Sequence, residues 1–533
     1  MTGYQDLRDW LNTLTKNDKL AVVDRPINKN TELAPLVRLQ YRGLPEEKRK
    51  GFLFNNVRGE GGIKYDMHVA TGIYASSREM YALSLDCEPT IESIDKRWVE
   101  AQLHPLEPRL VESGPAQEVV ITREEMEKTG KGLNILPVPV EIPGFSGNIR
   151  TSVPFMTKDP KSGWVNVGTY SAHMVGKTKM QWEIERHNHG WAHYTTAKEI
   201  GKDLDCAVVI GGPPVLFYVG SAKLPFGVNE LTIAGGLVEA PLDVVKCKTV
   251  NLEVPATSEV IIEGKVSLGP LEAGNSYGEY NGYMAHDVRM RPVVNVTAIT
   301  FRKDPIFVHV MSQMPPSESS KVRTVSSDNI YYKFLKYDCK VPGILDVAWH
   351  EISQASWCVI RMKKINNTHP WQALHLAAGY DAWWGKFFIA VDDDIDARDV
   401  ESVIWALSWR VQPKRDTEVI GGRFAGLDPS AYKPDASHEE KLMPNVTGAS
   451  AILIDATRKW PYTPVSLPRK EYMENALKIW RELKFPELSL RQPWYGYELG
   501  FWPQESREDA DFVVKGDFES VGKRLAARTV NKP

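Results

Sequence analysis

The apolar positions at the start of the chain, Leu7, Trp10, Leu11 and Leu14, have the spacing that lays one stripe along a helix. The apolar run Leu20–Val23 predicts a strand, and Gly51–Val57 a second, closed by Arg58-Gly59-Glu60-Gly61-Gly62. That glycine cluster lacks the order of a phosphate loop and reads as a turn. Residues 103–117 hold three prolines and little periodicity, and read as a linker. From about 118 to 310 short apolar runs recur: Val119–Thr122, Val165–Tyr170, Ala207–Ile210, Val215–Val219, Val260–Ile262, Val293–Ile299 and Ile306–Val310. Turn residues separate many of them, which predicts an antiparallel sheet or barrel. The last third changes character. Phe387–Val391 is a buried-strand candidate, and Val400, Val403, Ile404, Leu407 and Val411 form a helical stripe. Asp396 occupies the N-cap place, with Asp399 three residues on, and acids there suit the positive end of a helix. Residues 421–447 are polar and read as a loop, and Lys470–Leu483 as an amphipathic helix.

At 533 residues the chain exceeds the roughly 250–300 at which a single core stops growing, so two or three domains are expected. A net charge of −3 excludes a nucleic-acid surface as the main theme. Cys87, Cys206, Cys247, Cys339 and Cys358 are scattered without a CxxC pair. That argues against a disulfide framework or a structural zinc and fits a reducing cytoplasm. The N-terminus lacks a signal-peptide pattern, and no apolar run approaches the ~18 residues of a membrane span. A cytoplasmic protein with neither membrane nor nucleic acid as partner is therefore expected.

No nucleophile elbow, HExxH pair, Walker loop or dinucleotide fingerprint occurs. Three local runs carry candidate chemistry. In residues 186–193 an extended backbone would put His187, His189 and His193 on one face, where imidazoles suit a transition metal; surface or hydrogen-bonded histidines are the alternative. In residues 275–283 one carboxylate, Glu279, lies among small and aromatic residues. Aromatic walls would raise its pKa, as a general acid near neutral pH requires, although spacing alone favours a turn glutamate in solvent. Asp392-Asp393-Asp394-Ile395-Asp396 has the carboxylates of a magnesium site, but helix capping already accounts for Asp396 and Asp399. Lys386, just before the strand, is a candidate phosphate partner or a solvated surface lysine.

Longer blocks change these odds. The run Lys386-Phe387-Phe388-Ile389-Ala390-Val391-Asp392-Asp393-Asp394-Ile395-Asp396-Ala397-Arg398-Asp399, continuing to Pro413-Lys414-Arg415-Asp416, resembles the UbiD decarboxylase family. So do Asn166-Val167-Gly168-Thr169-Tyr170, Glu253-Val254-Pro255-Ala256, Gly278-Glu279-Tyr280 and Ile454-Asp455-Ala456-Thr457-Arg458-Lys459-Trp460, in family order over nearly the whole chain. The resemblance implies an α/β (α+β) architecture: an N-terminal α/β domain (1–117), a split β-barrel flavin-binding domain (118–320) and a C-terminal α/β oligomerisation domain (321–533). It implies a homodimer or homohexamer, a prenylated FMN supplied by a flavin prenyltransferase, a divalent metal (Mn²⁺, Fe²⁺ or Mg²⁺) and K⁺. By motif match Asn166, His189 and Glu230 are the metal ligands, and Ser221-Ala222-Lys223-Leu224-Pro225 is the loop for potassium and flavin. Thr169, Tyr170, Ser171, Asn188 and His189 fall on the flavin side, Lys386 matches the phosphate lysine, and Glu279 the proton donor. The implied reaction removes CO₂ from an sp² carbon of an aromatic acid, the flavin acting as electron sink and the protein supplying orientation, desolvation and a proton.

The chain departs from the family at two places. Ser171 stands where the family carries an arginine, and Gly274 where it carries the first glutamate of a Glu–Arg–Glu network; Glu272 is nearby. Small residues there would open space and remove charge, which suits an aromatic acyl-CoA substrate such as phthaloyl-CoA, giving benzoyl-CoA. Two alternatives stand beside it: a phenolic or aryl acid (de)carboxylase, and a non-catalytic UbiD-like subunit of a multi-subunit aromatic carboxylase.

Overall fold

The computed structural model describes residues 4–528, apart from 146, 148, 286–287, 425–426, 434, 442 and 491–501. The opening helix, Leu7–Lys16, buries its predicted stripe of Leu7, Trp10, Leu11 and Leu14. The Trp10 indole donates to the Ile73 carbonyl at 2.9 Å, so its one polar atom is satisfied inside the core. The helix covers a four-stranded sheet ordered Leu20–Val23, Gly51–Phe54, His68–Thr71 and Ile306–His309. Its fourth strand comes from far along the chain and pairs parallel with His68–Thr71. Gly51–Val57 is not one strand. It breaks after Phe54 and resumes as Val57–Arg58, and the glycine cluster is a turn with Gly61 and Gly62 at positive φ.

The central sheet has nine strands, all of whose pairings are antiparallel. Its order is Val165–Gly168, Phe155–Lys158, Leu204–Ile210, Val260–Val266, Val293–Phe301, Lys179–Glu183, Ser171–Met174 and Arg150–Ser152, with Val119–Thr122 also on Val293–Phe301. Six of the seven apolar runs read as strands are strands. The exception, Val215–Val219, lies in the helix Pro214–Ser221. A short, wholly buried apolar run has no period that separates helix from strand, and Pro214 at the first helical turn decides it. The linker reading of 103–117 also needs correction, since Arg109–Leu110 pairs parallel with Asp243–Lys246.

The last third forms a five-stranded sheet ordered Ile344–Trp349, Trp357–Met362, Phe387–Asp392, Ala451–Ala456 and Thr417–Ile420. Its central strand is covered on both faces. Phe388 and Ala390 enter one apolar cluster, and Ile389 and Val391 the other, as period-two alternation requires. The following helix is Val400–Arg410, and its N-cap is Asp399, accepting from the Ser402 N–H, not Asp396. Asp396 accepts from the Arg398 N–H in the turn before it. Asp392 and Asp394 are neutralised by Arg410, at 2.8 Å each, so arginine takes the place a cation would have had. In 421–447 the described residues include two single-turn helices, His438–Lys441 and Pro444–Thr447, while Ala425, Gly426, Pro434 and Leu442 lie outside the described set. The amphipathic helix runs Lys470–Glu482.

Candidate active site

A cavity of about 600 Å³ opens where the edge of the central sheet meets the helix Glu318–Lys333 and the segment 380–384. Asn166, His189 and Glu230 share one of its walls. Asn166 is buried on Val165–Gly168. His189 and Glu230 are each the first residue of a helix, His189–Glu199 and Glu230–Val238. The Glu230 carboxylate accepts from the Val167 N–H at 2.9 Å and lies 3.9 Å from the His189 Nδ1. Burial pushes its pKa up, opposed by His189 and that N–H. One amide oxygen, one imidazole and one carboxylate form a donor set for a hard or borderline divalent ion.

The extended reading of residues 186–193 is overturned, because the helix begins at His189, with Asn188 in the N-cap position. The three histidines diverge. His187 stacks on Trp383 at 3.8 Å, and burial, with Lys223 and His189 nearby, lowers its pKa to about 3. His193 turns into the core, its Nδ1 2.8 Å from the Thr157 hydroxyl.

The flavin-side candidates Thr169, Tyr170, Ser171, Asn188, Leu224 and Pro225 line the same cavity, as do Ser221 and Ala222. The Tyr170 hydroxyl accepts from the Gly190 N–H at 3.3 Å, tying the strand end to the helix that carries His189. The Ser221 hydroxyl and the Arg323 Nε are buried with no partner among the described residues, and both belong to the cavity wall. The unspent Ser221 hydroxyl beside an Asn–His–Glu wall fits a flavin phosphate and its ions. Lys386 stands apart. It lines an adjoining cavity of about 350 Å³ and pairs with Asp428 at 2.7 Å and Ser430 at 2.9 Å.

Glu279 is half-buried at the cavity wall, where burial raises its pKa. Arg150 and a hydrogen bond from the Tyr277 hydroxyl oppose that rise. Tyr277 lies between two guanidinium groups, Arg150 at 4.6 Å and Arg291 at 5.4 Å from its ring centre.

Sequence reasoning missed those arginines, and they correct the reading of the departures. Arg150 lies opposite His173 in the ladder Arg150–Ser152/Ser171–Met174, two positions diagonal to Ser171 and on the same face. Its Nη1 donates to the Ser171 hydroxyl at 2.9 Å, and its Nη2 to Glu141 and to the Gly278 carbonyl, both at 2.6 Å. Burial raises the Glu141 pKa, but Arg150, His309 and the Ser312 N–H outweigh it and hold the group below its ordinary value. Across the face, Ser171 is paired in register with Glu183, which binds Arg291. A Cβ on Gly274 would overlap that Arg291 guanidinium. The small residues therefore make room for charge supplied by neighbouring strands; charge is not removed. Glu272 points elsewhere and pairs with Lys179 at 2.6 Å.

Three family models match the chain in order: the N-terminal (residues 11–98), Rift-related (109–315) and C-terminal (329–456) domains of 3-octaprenyl-4-hydroxybenzoate carboxy-lyase. An uncharacterized protein of Aquifex aeolicus is 30% identical over 480 residues, covering 86% of this chain and 92% of that one. The structure of an evolved dimeric form of the UbiD-class enzyme HmfF from Pelotomaculum thermopropionicum, in complex with prFMN, superposes with a TM-score of 0.74 at 26% identity, over 87% of this chain and 97% of that one. The vanillic acid decarboxylase of Sedimentibacter hydroxybenzoicus in closed form shares the fold, with a TM-score of 0.76 at 24% identity over 91% of this chain and 100% of that one. Matched in all three domains, the chain belongs to the UbiD family of carboxy-lyases.

Proposed function

We propose that this chain decarboxylates an aromatic carboxylic acid with prenylated FMN as its cofactor. The observation that carries the reading is Glu279, a cavity carboxyl with a raised pKa, set beside an Arg150 that Glu141 and Gly278 hold in place. In this reading Asn166, His189 and Glu230 hold a divalent metal, Mn²⁺, Fe²⁺ or Mg²⁺. Ser221 and Ala222 border the K⁺, and Thr169, Tyr170, Ser171, Asn188, Leu224 and Pro225 border the flavin. Lys386 reaches the phosphate on leaving Asp428. When bound, the cofactor supplies the electron sink for the carbon that loses CO₂.

The chain's own residues do the rest. Arg150 orients the leaving carboxylate through charge-assisted hydrogen bonds. The raised pKa of Glu279 favours its protonated form, which delivers the proton to the ring carbon. His187, Trp383 and Phe424, stacked at 3.8 and 4.4 Å, keep water from that carbon. A flavin prenyltransferase supplies the cofactor. Exposed apolar residues on two C-terminal helices, Ile404 and Trp409 on one and Ile479 on the other, serve a homo-oligomer.

The acyl-CoA reading drew on uncharged space at Ser171 and Gly274, and the non-catalytic reading on a lost arginine. With Arg150 and Arg291 filling that space, an aryl acid is the better substrate class. The test is anaerobic purification after co-production with a flavin prenyltransferase. Mass spectrometry of the released flavin comes first, then CO₂ release from benzoates, phenolic acids and phthaloyl-CoA. Prenylated FMN with turnover of an aryl acid is expected. Loaded protein that turns over no member of the panel refutes the proposal, and turnover of phthaloyl-CoA alone returns the substrate to the thioester class.

A further inference from the structure

Three lysines and arginines line the main cavity, and their charges are not balanced alike. Arg150 pairs with Glu141 at 2.6 Å and Lys223 with Asp381 at 3.9 Å. Arg323 has no ion pair among the described residues. Its Nε is buried without a partner, its Nη2 reaches only the Thr169 hydroxyl at 3.5 Å, and its guanidinium carbon lies 4.5 Å over the ring of Tyr280.

The helix Glu318–Lys333 fixes this position. Glu318 accepts from the N–H groups of Gly72 and Tyr74 at 2.9 and 2.8 Å, and Lys321 pairs with Glu46 and Glu351 at 2.6 Å each. Locked on those faces, the helix turns Ser319 and Arg323, one turn apart, toward the cavity. Tyr280 follows Glu279 in the chain, so the unpaired guanidinium stands at the acid's end of the cavity. The guanidinium is half-buried, its one acidic influence among the described residues is Glu279, whose own pKa is raised, and its Nε hydrogen-bonding capacity is unspent. Its place here makes sense once an anion arrives with the ligand.

We propose that Arg323 binds a second anionic group of the substrate, so that the aromatic acid taken by this site carries a carboxylate beyond the one released. The inference rests on the decarboxylase reading above and narrows its substrate class. A flavin phosphate has the same anionic oxygens, so the test separates the two sources.

The flavin-loaded full chain is titrated calorimetrically with benzoate, phthalate, isophthalate and terephthalate, for the wild type, Arg323→Met and Arg323→Lys. One dicarboxylate is expected to bind the wild type roughly ten- to hundredfold more tightly than benzoate, the range of a hydrogen-bonded charge pair. Arg323→Met removes that preference and keeps both the benzoate affinity and the flavin content; Arg323→Lys retains part of the preference. Without ligand, Arg323→Met melts close to the wild-type temperature, because no ion pair is lost. Equal affinity of the wild type for benzoate and all three dicarboxylates overturns the proposal. Flavin loss in Arg323→Met also overturns it and gives the charge to the phosphate. A lowered Tm with unchanged selectivity makes Arg323 a structural partner of Tyr280. Selective binding without CO₂ release from any acid removes the decarboxylase reading and leaves Arg323 as an anion site. Turnover without selectivity removes only the Arg323 assignment.

Discussion

Replacing Arg150 with Met puts an apolar chain of similar length into a buried ion pair whose two side chains are each 6% exposed. Removing one partner of such a pair is destabilising by about 3–5 kcal/mol, because the other charge stays buried. Glu141 keeps the Ser312 N–H at 2.7 Å and His309 at 3.6 Å, so its share lies near the lower end, about 3 kcal/mol. The Gly278 carbonyl loses a donor at 2.6 Å, which adds about 1 kcal/mol. Guanidinium denaturation, read on the transition that reports the central sheet, should therefore show a deficit of about 4 kcal/mol. Adding Glu141→Gln should recover roughly 2 kcal/mol, since a neutral amide still accepts from Ser312 and no charge remains stranded. The deficit also depends on pH. Arg150 opposes the raised pKa of Glu279 and is the largest influence holding Glu141 down. Without it both folded-state pKa values move up from where they stand in the wild type. Relative to the wild type, groups shifted up lose stability as pH rises through the folded value, so the deficit should be larger at neutral pH than below the ordinary carboxylate range. A deficit under about 1 kcal/mol, the level of a surface ion pair, or a double variant as unstable as the sum of the singles, refutes the reasoning.

Glu279→Gln should keep flavin and metal while turnover falls by roughly 10²–10⁴, the span of a positioned proton donor; full activity would remove its role. The same variant should melt higher than the wild type at alkaline pH, because the raised pKa of Glu279 means its ionised form is disfavoured in the fold. His189→Ala should lose divalent metal, measured by atomic emission, together with flavin retention; unchanged contents of both would refute the ligand set. Gly274→Glu, which restores the residue usual in the family, should collide with Arg291, destabilise by about 1–3 kcal/mol or more, and confer no activity on simple benzoates. A soluble Gly274→Glu protein with increased benzoate turnover would contradict that packing.

The architecture was legible because it rests on periodicity. The stripe at Leu7, Trp10, Leu11 and Leu14, the spaced strands of the central sheet and the two-faced strand Phe387–Asp392 each have a pattern tied to burial. Where the pattern was ambiguous the reading failed. Val215–Val219 is apolar at every position, as a buried helix or a buried strand equally would be. The N-cap of Val400–Arg410 slipped by three residues because Asp396 and Asp399 are chemically alike and only chain geometry tells them apart. At the site, short blocks of sequence pointed to Asn166, His189 and Glu230, which line one cavity. The divergence of His187 and His193 was not legible, because a helix start at His189 rotates what an extended backbone would have aligned.

Arg150 shows why the rest of the site was hidden. A motif read position by position asks what stands at residue 171, finds serine, and infers a missing charge. A sheet asks a different question, namely which side chains share a face within reach. The register Ser171↔Ser152 and His173↔Arg150 sets a long side chain diagonal to the serine, 21 positions away in sequence. The serine is what lets that side chain in, since its hydroxyl accepts the guanidinium N–H at 2.9 Å. A second long side chain there would compete for the same space. Gly274 follows the same rule on the other side of Tyr277, leaving room for Arg291 and its bond to Glu183. Two small residues that read as losses are thus the physical condition for two arginines that no local motif contains. The charge around Glu279 is kept by strand neighbours, and its origin can be read only once the register is known.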